Sequence, residues 1–184
     1  MSSALSISSQ LSYIRVKGIM GHFYEASRAN NVPVSLLLAI ASRESHMGLT
    51  LDSNWTGDNG NGIGIMQIDR RYHSDFTSSH ANNDHRANIH YGSKFLADLI
   101  RKFGGKLTPA VAAYNAGYSK VRNTISAGID PNLVTTGQNY ASDVLRRKEI
   151  VESTLGISKA STASMVILPL IITGFISYQI FNTQ

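Results

Sequence analysis

Apolar residues recur every three or four positions along much of this chain, which is the spacing of one face of an α-helix. Residues 12–29 follow that pattern. The sequence NVP at 31–33 then predicts a stop and a new start, because proline suits the first turn of a helix. Residues 34–41 are apolar on almost every side, so we predict that they form a helix buried in the core.

Three further helices are predicted later in the chain. Residues 86–103 return to helical spacing and end at the glycines 104–105, which favour a helix C-terminus. Pro109 predicts another helix start with Thr108 as its cap. A last helix is predicted over 138–151.

The segment between the helix at 34–41 and the helix at 86–103 has a different composition. Residues 50–68 are dense in Gly, Asn, Asp and Thr with short apolar interruptions, which predicts loops and a small, weak β-hairpin. We therefore expect a mainly α fold of the α+β type. A helical bundle would surround the buried helix at 34–41, with the loop or hairpin region beside it.

The end of the chain differs from the rest. We predict a domain over 1–151, a linker over 152–164 and a hydrophobic C-terminal helix over 165–184. Residues 165–181 carry no charge, and a helix over about 163–181 would be roughly 30 Å long, near the hydrocarbon thickness of a bilayer. Three alternatives remain open for this tail: a membrane anchor, a helix docked on the domain or on a partner, or a disordered segment.

Composition and charge narrow the class of protein. The chain has 184 residues, of which 42% are hydrophobic and 16% charged, as expected for one globular domain. The net charge of +5 favours anionic polymers as partners, and nucleic acid and bacterial cell wall both qualify. Because the basic residues are spread out and do not alternate with aromatics, we predict no nucleic-acid partner. The chain has no cysteine, which excludes disulfides and a thiol nucleophile.

Three acidic residues stand out by their surroundings. Glu44 follows the apolar run, whereas Asp58 lies in GDNGNG and Asp69 follows MQI. Burial raises the pKa of a carboxyl group, so Glu44 is a candidate for holding a proton near neutral pH, while a solvated loop leaves an aspartate ionised. One protonated and one ionised carboxyl group are what the cleavage of a glycosidic bond requires.

Each of these residues also has a simpler interpretation. Glu44 would form a surface ion pair with Arg43 on a helix that ends at Gly48. Asp58 would serve a tight turn, and Asp69 would cap a short helix through residues 70–73, a role it could combine with catalysis.

Other kinds of site are excluded or weakly supported. A calcium loop starting at Asp52 fails because Ile63 stands where its bidentate glutamate belongs, and a phosphate-binding loop lacks its Gly-Lys-Ser/Thr ending. The histidines at 80, 85 and 90 do not share one helix face, so we predict no metal site. Tyr114 and Asn115, in AVAAYNAG, are either a packed tyrosine and a capping asparagine or a pair that binds a sugar.

Four short segments resemble a known family. SRESHMG, GDNGNGIGIMQID, AYNAG and YASDV occur in this order and resemble the signature of goose-type lysozymes, relatives of the soluble lytic transglycosylases. The resemblance covers roughly residues 12–151. It implies a lysozyme-like fold with a substrate cleft between the helices and the loop or hairpin region. It also implies cleavage of the β-1,4 bond between N-acetylmuramic acid and N-acetylglucosamine in peptidoglycan, in an antibacterial or wall-lytic role.

The resemblance also suggests roles for single residues. Glu44 matches the general acid, and Asp58 and Asp69 match the aspartates that position and activate water in an inverting reaction. Further residues match those that line the sugar cleft: Gln67, His73, Tyr114, Asn115 and Tyr140. No metal ion or organic cofactor is implied.

Two other functions remain as alternatives. Residues 84–105 look at least as much like lytic transglycosylases, which release 1,6-anhydromuramic ends, although such enzymes need no water-positioning aspartates. A non-catalytic wall-binding module is the second alternative. The absence of cysteine departs from the disulfide-bonded avian members, so we expect this chain to be stabilised by packing alone.

The expected location follows from the substrate. We expect a monomer that acts on peptidoglycan, outside cells or at the bacterial envelope, with membrane contact through residues 165–181 if the tail is an anchor. No secretory signal is visible in the first residues. The basic residues 146–148 precede the tail, and no basic residue follows it. Because positively charged flanks tend to stay in the cytoplasm, an anchor of this kind would keep the domain on the cytoplasmic side of a membrane. Either the tail is not a simple anchor, or the protein meets wall material inside a cell, or release follows membrane damage.

Overall fold

The first helical stretch is two helices rather than one. The computed structural model describes residues 6–157, and in it α1 is Ile7–Val16 and α2 is Met20–Asn30. The prediction of a single helix over 12–29 is therefore wrong. Gly18, with φ +72°, turns the chain in a conformation that glycine adopts at little cost. The apolar spacing continues across this turn because both helices bury residues against the same core.

The predicted central helix is confirmed. Helix α3 is Val34–Ser45, begins directly after Pro33, and buries six successive side chains completely: Leu36, Leu37, Leu38, Ala39, Ile40 and Ala41. Helix α3 packs against α2 and against α8, Tyr140–Leu155, the last helix of the described residues. The last predicted helix thus starts two residues later and ends four residues later than 138–151, since its final turn still buries Val151 and Glu152.

The Gly-rich segment forms a small antiparallel sheet. Strands β1 (Thr56–Gly57), β2 (Gly62–Ile63) and β3 (Ile68–Asp69) lie in the order β1-β2-β3. The predicted hairpin is present and one further strand extends it. Gly57 and Gly62 leave room for the Gln67 side chain, because a Cβ at either position would lie 2.2 Å from its Oε1 atom and would displace it.

The remaining helices complete the bundle. They are α4 (Ser74–Ser79), α5 (His85–Lys102), α6 (Leu107–Ala116) and α7 (Tyr118–Ser126). Helix α5 confirms the prediction over 86–103. Thr108 lies inside α6, which is preceded by Lys106, so the predicted Thr108 cap is wrong. Helices α4 and α7 were not predicted, and α5 packs against α2 and α6.

One buried amide joins the sheet to this bundle. The Nδ2 of Asn88, on α5, donates to the carbonyl of Ile63 at 2.9 Å, and its Oδ1 accepts from the backbone N–H of Met66 at 2.8 Å. Gly64 makes room for it, since a Cβ there would lie 2.5 Å from the Asn88 Cγ. The mainly α fold with a small β region is as predicted.

The predicted C-terminal helix over 165–184 lies outside the described residues, as does most of the predicted linker. Among residues 6–157, no helix has the length and hydropathy needed to span a bilayer. The division into a domain, a linker and a tail remains a prediction.

Candidate active site

Glu44 lies in the last turn of α3 and is enclosed by its neighbours. The hydroxyl of Tyr140, at the start of α8, donates a hydrogen bond to its Oε1. Burial raises the pKa of Glu44 to about 7, and the Tyr140 hydrogen bond and the charge of Arg43 oppose that rise only in part. The simpler interpretation of Glu44 as the ion-pair partner of Arg43 is wrong, because Arg43 pairs with Asp143, with Nε 3.7 Å from Oδ2.

A sharp turn follows α3 directly after Glu44. The helix ends at Ser45, three residues before Gly48, and His46 and Met47 already have positive φ angles of 49° and 56°. The Ser45 hydroxyl donates to the carbonyl of Ile65 at 2.8 Å and accepts from the N–H of Gly48 at 2.9 Å. The end of the central helix is thereby fixed to the chain between β2 and β3.

Asp69, at the end of β3, is held as a carboxylate by an arginine. Its Oδ2 lies 2.6 Å from Nη2 of Arg71, and its Oδ1 accepts from the backbone N–H and the Nε of the same residue at 2.8 and 3.0 Å. These contacts lower the pKa of Asp69 despite its partial burial. The predicted cap of a helix through 70–73 is wrong, since α4 begins only at Ser74 and Asp69 closes a turn two residues long.

Arg71 also joins the two predicted aspartates. Asp58 begins a short 3₁₀ turn, Asp58–Gly60, and its Oδ2 lies 3.1 Å from the same Nη2. The Asp58 side chain is 60% exposed, against 27% for Asp69. Sequence reasoning missed Arg71. The only signal for it was a cation two residues from Asp69, which is too common a pattern to carry a prediction.

A groove collects most of the predicted sugar-binding residues. It encloses about 440 Å³, and five predicted residues line it: Gln67, Asp69, His73, Tyr114 and Asn115. Glu44, Tyr140 and Asp58 are not among its lining residues. Burial, and to a lesser extent the charge of Glu44, raise the pKa of the Tyr114 hydroxyl. The structure thus places five predicted residues in the groove, pairs Glu44 with Tyr140, and joins Asp58 to Asp69 through Arg71.

Several groove residues also make contacts within the protein. The Nε2 of Gln67 donates to the carbonyl of Gly64 at 2.7 Å, and the Tyr114 hydroxyl donates to the carbonyl of Met66 at 3.0 Å. His73 Nδ1 lies 2.9 Å from the Tyr91 hydroxyl, and burial lowers the His73 pKa. The Oδ1 of Asn115 accepts from the backbone N–H of Thr136 at 2.8 Å. These bonds fix the groove wall, and sequence reasoning missed Tyr91.

A second cavity of about 320 Å³ contains none of the predicted residues. It is lined by one aromatic residue and four polar, uncharged ones: Trp55, Ser53, Asn54, Asn82 and Asn83. It offers no acid or base, so the groove lined by Asp69 is the candidate active site.

Comparison with known families decides which proteins this chain is related to. The family model for lysozyme g matches residues 14–152, close to the span predicted from the four segments. The chain belongs to the lysozyme g family. This lysozyme g family member is 34% identical to lysozyme g of Gallus gallus over 124 residues, and 34% identical to lysozyme G of Dromaius novaehollandiae over 127 residues. It is 29% identical to lysozyme g of Cyprinus carpio over 134 residues.

The family member covers only part of these relatives. The aligned part is 62% of this chain and 54% of the Gallus protein, and 64% of this chain and 58% of the Dromaius protein. The Cyprinus comparison covers 68% of each protein.

Proposed function

We propose that this lysozyme g family member is a muramidase. It would hydrolyse the β-1,4 bond between N-acetylmuramic acid and N-acetylglucosamine in peptidoglycan with inversion, in a bacteriolytic role. Two observations support the proposal: membership of the family, and the contrast between the pKa of Glu44, at the end of α3, and the pKa of Asp69, which lines the groove. The contrast carries the proposal, because Glu44 has a pKa raised to about 7 and Asp69 has a lowered one.

Glu44 is proposed as the general acid. At neutral pH a large share of its side chain is protonated, so it can donate a proton to the leaving glycosidic oxygen as the C–O bond breaks. The hydrogen bond from Tyr140 leaves the other carboxyl oxygen, Oε2, to carry that proton, and it stabilises the carboxylate formed after donation. Tyr140 is therefore proposed as a positioning residue for the acid.

Asp69 is proposed as the general base, with Asp58 as its partner in positioning water. Arg71 keeps Asp69 ionised, so Asp69 can take a proton from a water whose oxygen attacks the anomeric carbon from the opposite face. The proton balance closes when Asp69 releases that proton to solvent and Glu44 takes one up. Asp58, bound to the same guanidinium, would orient the water from the loop side.

The groove is proposed to hold the glycan strand. Gln67, His73 and Asn115 present amide and imidazole groups suited to hydroxyl and acetamido substituents, and Tyr114 lines the same groove. Proton donation and water activation need only the carboxyl groups of Glu44, Asp69 and Asp58.

Digestion of purified peptidoglycan by the full chain tests the proposal. Mass spectrometry of the soluble products should show reducing N-acetylmuramic ends. Glu44→Gln should lower the rate by at least about 100-fold, the usual contribution of a general acid. Glu149→Gln, an exposed glutamate on α8, is the matched control and should digest at the wild-type rate. Products with 1,6-anhydromuramic ends would instead establish a lytic transglycosylase. Full activity of Glu44→Gln would refute the assignment of the acid.

A further inference from the structure

One aromatic side chain in the groove is exposed although its neighbours are packed. Tyr72 lines the groove and is 81% exposed. The other aromatic rings there are engaged inside the protein: the ring of Phe95 packs against Tyr114 at 5.4 Å between centroids, and against His73 at 5.0 Å. Among the described residues, no ring contact involves Tyr72. Because Tyr72 is exposed inside the groove, its ring is free to contact a ligand that binds there.

The backbone that carries Tyr72 is held at both ends. The N–H groups of Tyr72 and His73 both donate to the carbonyl of Asp69, at 3.1 and 3.0 Å. The imidazole of His73 is in turn fixed by the Tyr91 hydroxyl. Tyr72 is therefore presented from an ordered turn, and a ligand that covers its ring has only two side-chain torsions to restrict.

The chemistry around the ring fits a sugar. A pyranose unit has polar edges and a flat face of C–H groups, so it needs hydrogen-bonding partners beside an apolar surface. The groove offers both, since the amides of Gln67 and Asn115 line it together with the Tyr72 ring. Asp69, three residues before Tyr72, lines the same groove.

We infer that Tyr72 is a substrate-binding residue that packs its ring against the C–H face of one sugar unit of the glycan strand. The inference rests on the proposed function for the kind of ligand, and it goes beyond it in naming a contact outside the residues matched to the family. It places a binding contact next to the proposed base, on the surface of the turn between β3 and α4.

Binding of a chitin hexasaccharide, measured by calorimetry on full-length protein carrying Glu44→Gln to prevent cleavage, tests this contact. Adding Tyr72→Ala should weaken binding about 3–10-fold, the loss expected for one aromatic packing contact. Tyr72→Phe should bind like the parent, because it keeps the ring. Tyr24→Ala is the matched control, since Tyr24 is an exposed tyrosine on α2 outside the groove, and it should not change the affinity.

A second variant gives a direct fluorescence signal and does not depend on a loss of affinity. Tyr72→Trp should bind at least as tightly as the parent, and its indole emission should change when the sugar is added. The parent protein, with Trp55 as its single tryptophan, provides the reference. Unchanged affinity of Tyr72→Ala, equal weakening by Tyr72→Phe, or an indole signal no different from the reference would each overturn the inference.

These outcomes separate the inference from the proposed function. If the hexasaccharide binds through Tyr72 but the wild-type chain leaves peptidoglycan intact, the sugar contact stands and the muramidase proposal fails. If the wild-type chain cleaves peptidoglycan and Tyr72→Ala binds normally, the muramidase proposal stands and the sugar contact fails. A parent protein that does not bind the hexasaccharide also overturns the contact.

Discussion

At the residue scale, the surroundings of two carboxyl groups shift their pKa values in opposite directions. Enclosure at the end of α3 favours the neutral form of Glu44, while the guanidinium of Arg71 favours the charged form of Asp69. The pattern of an apolar run followed by a polar loop predicted this contrast. It did not predict Arg71 or Tyr91, because their contacts depend on how side chains meet in three dimensions and leave no spacing to read in the sequence.

Arg71 gives a prediction about the acidic side of the activity profile. Without its guanidinium the pKa of Asp69 should rise towards its ordinary value, so in Arg71→Ala the activity should begin to fall at a higher pH than in wild type. The decline on the alkaline side, set by Glu44, should stay in place. The measurement is the rate of peptidoglycan digestion against pH, with Arg70→Ala, the exposed neighbouring arginine, as the control.

An unmoved acidic decline in Arg71→Ala would show that Arg71 does not set the charge of Asp69. An equal displacement in Arg70→Ala would show that the effect comes from net charge alone.

At the element scale, the long periodic helices were predictable and the short elements were not. Helices α3 and α5 each bury a broad apolar surface, which produces an unmistakable pattern in the sequence. The strands are two residues long, too short for alternation to register, and α7 buries only Val121 and Thr124. The division between α1 and α2 was missed because one glycine turn does not disturb the apolar spacing around it.

The attachment of the sheet to α5 gives a stability prediction. Asn88→Ala removes both hydrogen bonds and leaves the carbonyl of Ile63 and the N–H of Met66 buried without them. The free energy of unfolding should fall by about 2–4 kcal/mol, measured by urea denaturation. Asn123→Ala, an exposed asparagine on α7, is the control and should change it by less than about 0.5 kcal/mol. A loss at Asn88 no larger than at Asn123 would contradict this role.

At the scale of the whole molecule, the raised pKa of Glu44 lowers the free energy of unfolding at neutral pH. Glu44 has a folded-state pKa of about 7 against an ordinary 4.5, so the folded protein binds more protons than the unfolded chain between these values. The contribution of Glu44 to stability should therefore fall as the pH rises through that window, while His46, His73 and His85, whose pKa values are lowered by burial, act in the opposite direction. This protein has no disulfide to offset the loss, since the chain contains no cysteine.

Glu44→Gln should remove this dependence. Below about pH 4.5 the variant and the wild type should be equally stable, and above pH 7 the variant should be more stable by about 2–3 kcal/mol. Urea denaturation at several pH values measures the difference, in which the titration of the histidines cancels. A difference that does not vary with pH would mean that Glu44 titrates alike in the folded and unfolded chains.

The proposed acid–base mechanism depends above all on the proton held by Glu44. Titration of its side-chain carboxyl carbon by NMR, in the intact wild-type chain, measures that proton directly. We predict a midpoint near pH 7, with Tyr140→Phe moving it higher because the hydrogen bond to the carboxylate is lost. A midpoint near 4.5 in an active protein would contradict the account, because Glu44 would then have no proton to donate at neutral pH.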